Sequence, residues 1–162
     1  MSLTLPSIVP TGYAGDYSDF FRTKADKSGA VREITGAVVI PTTIAAGTLV
    51  GLFPFNASFK LGYGTVLNAG AMGTGVTGSL GIQYYNSTTG TSNTACYLSA
   101  VTATALGGFI NLSGQGAQVT GMTLDTLGDG WVVFVVGTTS TTTSSTLTFN
   151  APFAYDASGI TN

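Results

Sequence analysis

Few residues of this chain could do chemistry, and each has a plainer competing explanation. Asp125-Thr-Leu-Gly-Asp129-Gly places two carboxylates in one short segment, the oxygen donors a hard cation such as calcium prefers. Calcium takes roughly six or more oxygens, no other acid lies nearby in sequence, and an Asp-Gly turn beside a strand-end carboxylate accounts for the pattern. The same acids make a poor glycosidase pair, because nothing around them raises the pKa of one or supplies a polar cleft. Gly62-Tyr-Gly64 and Gly73-Thr-Gly75 look like fragments of phosphate loops. Neither is followed by a helical pattern or a Gly-Lys-Ser/Thr, so the dipole and amides that hold a phosphate are missing, and strand kinks are the simpler reading. Asn56-Ala-Ser58, Asn86-Ser-Thr88 and Asn111-Leu-Ser113 match the N-glycosylation pattern at about the frequency chance gives in so Ser- and Thr-rich a chain.

Cys96 is the only cysteine, which excludes an intrachain disulfide and a multi-cysteine metal cluster; it reads as a buried small hydrophobe. There is no histidine, so a Ser-His-Asp arrangement is impossible. Only 7% of the 162 residues are charged, against about 25% in an ordinary domain. Eight of the twelve charges fall between Asp16 and Glu33, leaving Lys60, Asp125, Asp129 and Asp156 for the rest. General acid–base work and metal ligation draw on the residues this chain lacks, so no enzyme, cofactor or metal is expected. Nucleic acid is not expected either, since phosphate binding needs clustered Lys and Arg and residues 1–33 sum to zero charge.

The elements that would carry a surface function follow from the apolar pattern. Leu3 to Pro10, with two prolines, reads as an extended arm. Asp16 to Gly29 has acids at the front, bases behind and a glycine where a C′ residue would sit, a short helix candidate with Tyr17, Phe20 and Phe21 on one face. That face packs on its own domain or on a neighbouring subunit. From Ile34 the chain becomes short apolar runs separated by Gly, Asn, Ser and Thr, the mark of an all-β sandwich. Strands are expected at 34–40, 48–55, 59–67, 79–85, 95–102, 109–112, 119–124, 131–136 and 146–153. Gly128-Asp-Gly130 before Trp131 signals a reversal, and a sandwich of two antiparallel sheets, jelly-roll-like with about eight strands, fits the count. The division expected is an N-terminal arm over 1–33 and a β-sandwich over 34–162.

Gly36 to Phe55 is uncharged and twenty residues long, the length of a membrane span, but its two prolines, three threonines and three glycines read better as two strands and a turn. The first ten residues lack the basic and apolar regions of a secretory signal, so use without export is expected. Ala69–Gly78 reads as a mobile glycine-rich loop, and Thr138–Ser145, wholly Thr and Ser, as a loop or strand end. Tyr84, Tyr85, Tyr97 and Phe109 are candidates for an aromatic platform for sugars. Alternation puts Tyr84 and Tyr85 on opposite faces, so at most one belongs to the core and the other, Tyr85, is a candidate contact residue.

The run Ile34-Thr-Gly-Ala-Val-Val-Ile-Pro41, then Ala46-Gly-Thr48, a strand ending at Phe55, a glycine-rich loop and Gly78-Ser-Leu-Gly-Ile-Gln-Tyr84 resembles small bacteriophage head decoration (cement) proteins of the β-sandwich type. So does the close: an Asp-Gly turn before an apolar strand, a Thr/Ser loop, and a last strand from Leu147-Thr-Phe149 to Phe153-Ala-Tyr155. Asn56-Ala-Ser58 and Ala71-Met72 stand where many such sequences have a Pro-Ala-Gly turn and an acid. The resemblance implies a virion structural protein, often a homotrimer, made in the host cytoplasm. It would sit outside an icosahedral capsid and clamp subunits of the major capsid protein. Independently, a nearly uncharged body of net charge −2 gains colloidal stability by burying its surface against copies of itself and a shell. The alternatives are a tail-fibre, spike or adhesin module binding glycan through tyrosines, and a jelly-roll major coat protein, ranked lower for want of a basic arm.

Overall fold

The computed structural model describes residues 6–9, 32–55, 59–62, 64–85, 92–102, 108–111, 128–137 and 140–155. In these the apolar runs become nine strands: β1 (Arg32–Ile40), β2 (Leu49–Phe55), β3 (Phe59–Leu61), β4 (Val66–Ala69), β5 (Thr77–Tyr84), β6 (Asn93–Thr102), β7 (Gly108–Asn111), β8 (Gly130–Val136) and β9 (Ser145–Tyr155). No helix occurs among the described residues. The helix expected over Asp16–Gly29 and the strand expected over Val119–Leu124 lie outside them. Gly36–Phe55 is the end of β1, a turn and β2.

The run expected as one strand, Phe59–Leu67, is two. Between β3 and β4 the chain turns where the Thr65 amide and hydroxyl both donate to the Gly62 carbonyl, at 3.1 and 2.7 Å. The Gly62 amide meanwhile donates to the Pro152 carbonyl at 2.7 Å.

The pairing is nested. β1 pairs with β9, β2 with β8, β4 with β7 and β5 with β6, each antiparallel. The chain is thus one long hairpin whose successive pairs go alternately to two sheets, β1-β9-β4-β7 and β2-β8-β5-β6, with the short β3 added beside β9. An eight-stranded sandwich wound this way is a jelly roll. Ladders β4–β9 and β5–β8 join the pairs within each sheet.

The inner faces meet in an apolar core from Val38 and Ile40 through Val50, Leu67, Leu80 and Ile82 to Val132, Phe134, Leu147 and Phe149. Phe53 of β2 meets Phe149 of β9 across the sandwich with ring centres 5.5 Å apart. Phe55 stacks on Phe59 at 5.3 Å and takes Tyr84 edge-on at 6.0 Å. These rings fill the end where β2 and β5 finish. Gly36 is small for a packing reason: a Cβ there would lie 2.5 Å from the Phe149 ring. Phe149 is its cross-strand neighbour and folds over it.

Candidate functional site

Three surfaces of the body could meet a partner: the outer face of each sheet and the loop end. On the β1–β9 sheet the outward row alternates cleanly. Thr35, Ala37 and Val39 of β1 and Thr146, Thr148 and Asn150 of β9 are exposed between buried or half-buried neighbours. The row holds one carboxylate, Glu33, which accepts a hydrogen bond from the Asn150 side-chain amide.

The β2–β8 sheet differs. β8 is buried along almost its whole length, and Trp131 and Val133, which alternate away from the inner core, are fully buried on the other side. A Cβ on Gly51 would lie 2.8 Å from the Trp131 ring and 2.9 Å from Pro6, so glycine lets Pro6 and the indole close over β2. Residues 6–9 are held there by backbone bonds. The Ser7 amide donates to the Leu49 carbonyl at 3.0 Å, the Gly51 amide to the Ile8 carbonyl at 2.7 Å, and Ile8 bridges Val50 in parallel. Of the segment read as an arm, then, the described part is extended and lies against β2 of its own chain.

At the loop end the β1–β2, β4–β5 and β8–β9 connections gather, and residues 41–48, 70–76 and 137–144 contain no ionisable side chain. Hydroxyls and backbone replace charge. The buried Thr141 hydroxyl donates to the Pro41 carbonyl at 2.9 Å and accepts from the Ile44 amide at 2.9 Å. Its backbone amide donates to the Ile44 carbonyl at 3.0 Å, and its carbonyl accepts from the Thr43 amide at 2.8 Å. Thr43 is thereby held at a φ of 65°, a left-handed conformation a β-branched residue seldom adopts unaided. The Ser145 hydroxyl donates to the Gly70 carbonyl at 3.0 Å, and the Thr142 amide to the Met72 carbonyl at 2.9 Å. The stretch read as a mobile glycine-rich loop is therefore anchored at its middle, where the Met72 side chain is fully buried in the core. Gly73 and Gly75 take φ of 127° and 75°, serving a turn rather than a phosphate cradle.

The candidate contact residues are dispersed. Tyr17, Phe20 and Phe21 lie outside the described residues. Tyr85 is half-buried just past β5, its amide donating to the Asp129 carbonyl at 3.1 Å. Tyr84 and Tyr97 belong to the core, so they do not form a platform with Tyr85. Asp129 is exposed, Asp125 lies outside the described residues, and no group of three potential metal-ligating side chains occurs among those described. Cys96 is buried, and burial pushes its thiol up to about 11, against the weaker lowering effect of backbone hydrogen bonds. Burial raises the Tyr97 phenol as well. Sequence reasoning missed the Trp131 face and the Thr141 lock. The unbroken apolar run 131–136 was a signal for the first, while nothing distinguishes Thr141 within a run of nine hydroxyl residues.

No protein-family model and no curated protein matches the chain. Solved structures do. One chain of the capsid of Ralstonia phage GP4 superposes with a TM-score of 0.55 at 15% identity, over 78% of this chain and 85% of that one. A chain of the cyanophage Pam1 capsid asymmetric unit gives 0.53 at 16% identity, over 78% and 86%. The likeness is one of fold, covers most of both partners, and joins chains of similar length.

Proposed function

We propose that the chain is a structural protein of a phage head, a decoration protein that binds the outside of the shell and ties major capsid subunits together. The observation that carries this reading is the shared fold with chains of two phage capsids. The character of the surface supports it. Exposed positions of β1 and β9 are Thr, Ala, Val and Asn apart from Glu33 at one end, and the loop end contains no ionisable side chain. Such surfaces lose little solvation free energy on being covered, because burying an unpaired charge is what costs most. Many weak contacts repeated by icosahedral symmetry add through effective concentration. Mixing the purified protein with undecorated heads should give saturable binding and a raised melting temperature of the shell; absence of both overturns the proposal.

A second reading has its own support. The nested eight-strand winding suits a chain that tiles a shell by itself, as a jelly-roll coat protein. Expression of this chain alone followed by electron microscopy separates the two, closed shells favouring the coat and small oligomers the decoration protein.

A further inference from the structure

A bare sheet edge is a template for another strand, and proteins ordinarily blunt theirs with short strands, bulges, charge or a covering segment. Among the described residues this fold treats its edges unequally. The outer edge of β2 is taken by Ser7 and Ile8. β6 is broken by two register shifts against β5. β3 and β7 are three and four residues long. β1 has none of these protections: its nine residues run in unbroken register with β9, without proline or lysine, and no described strand lies along its other side. Its charges are confined to Arg32 and Glu33 at one end. Val39, a large apolar side chain, is 59% exposed, and it stands on this strand.

We propose that β1 pairs antiparallel with β1 of a second copy of this chain, joining two β1–β9 sheets into one continuous sheet across a two-fold axis. A second copy fits because the strand is complementary to itself. The register that overlaps its full length is centred on Gly36. It sets Glu33 opposite the partner's Val39, Thr35 opposite the partner's Ala37, and Ile34 opposite the partner's Val38. Core row meets core row, outward row meets outward row, and no like charges face each other. A strand of complementary charge would find only Arg32 and Glu33, adjacent and of opposite sign at one end, to pair with. The seam does not rest on the virion reading. It also differs from the trimer the family resemblance implies, since a two-fold edge closes at two copies. Nine residues a side is well below the roughly 20–30 of a stable interface, so the dimer depends on concentration and gains from being held in an array.

Sedimentation equilibrium over a concentration series, with circular dichroism to confirm folding, tests the seam and its register together. The wild type should pass from monomer to dimer. Val39→Glu sets a carboxylate opposite the partner's Glu33 at both ends of the seam and should weaken the dimer about tenfold. Val39→Lys, facing the same carboxylate, should keep it. Thr146→Lys, one strand inward on the same face, should change nothing. Amide exchange across 32–40 in the wild type should slow as protein concentration rises, whatever the variants do. A monomer throughout, a trimer, equal effects of Glu and Lys at Val39, or exchange in β1 that ignores concentration would each overturn the proposal.

Discussion

The two sheets of the sandwich solve the same problem, a strand surface with almost no charge to spend, in opposite ways. β9 reads Thr146-Leu-Thr-Phe-Asn150 and shows water a row of short polar side chains while Leu147 and Phe149 face in. β8 reads Trp131-Val-Val-Phe-Val-Val136 and shows water almost nothing: Trp131 and Val133 are fully buried on its outer side, with Pro6 drawn in beside the indole above Gly51. Alternation marks a sheet wet on one face; a continuous apolar run marks one covered on both. A low charge count therefore does not define one kind of surface. It is compatible with a face kept open by hydroxyls and with a face that is a second core.

The sharpest way to break this contrast is at the indole. Trp131→Ala should cost about 3–5 kcal/mol in urea unfolding, as for a fully buried ring, whereas Thr146→Ala on the open face should stay within about 0.5 kcal/mol. Equal effects would mean the faces do not differ. Next, the open sheet should be sensitive only from inside: Gly36→Ala drives a methyl into the Phe149 ring and should cost about 1–3 kcal/mol by the same measurement. Deleting residues 1–9 should then separate cover from core. Trp131 is the only tryptophan, so its emission should shift to the red and its quenching by acrylamide should rise, with a smaller stability loss of about 1–2 kcal/mol.

Near neutrality the effect of pH is the smallest. Burial raises the Cys96 thiol from 9.0 to about 11, so the unfolded thiol ionises first. Stability from this group is complete below about pH 9 and declines as pH climbs to about 11, with Tyr97 extending the decline. With no histidine to titrate, thermal melting should be flat between about pH 6 and 8, and Cys96→Ala should remove part of the alkaline slope.

Much of the fold was legible because its signals are local. The run expected over 48–55 is β2 within one residue at its start, and that expected over 131–136 is β8 within one. The split of 59–67 was not legible from its apolar pattern: the break is the turn in which Thr65 bonds back to Gly62, while the partner that holds Gly62 in line with β3 is the Pro152 carbonyl, some ninety residues on. Strand order was hidden for the same reason. Alternation singled out Tyr85 as the contact residue of its pair, and the Phe55 ring edge-on to Tyr84 shows the other tyrosine in the core. The exposure of Val39 was implicit in the alternation of 34–40 but meaningful only once β1 proved to be an edge.

The nested pairing also sets an order of events in time. β5 and β6 are neighbours along the chain and can pair as soon as both exist, whereas β1 finds its described partner only when β9, more than a hundred residues later, has left the ribosome. Folding that waits on such distant closure is slow for its size. Throughout that wait β1 stands without the strand it is built to match, exposed to other chains in a crowded cell.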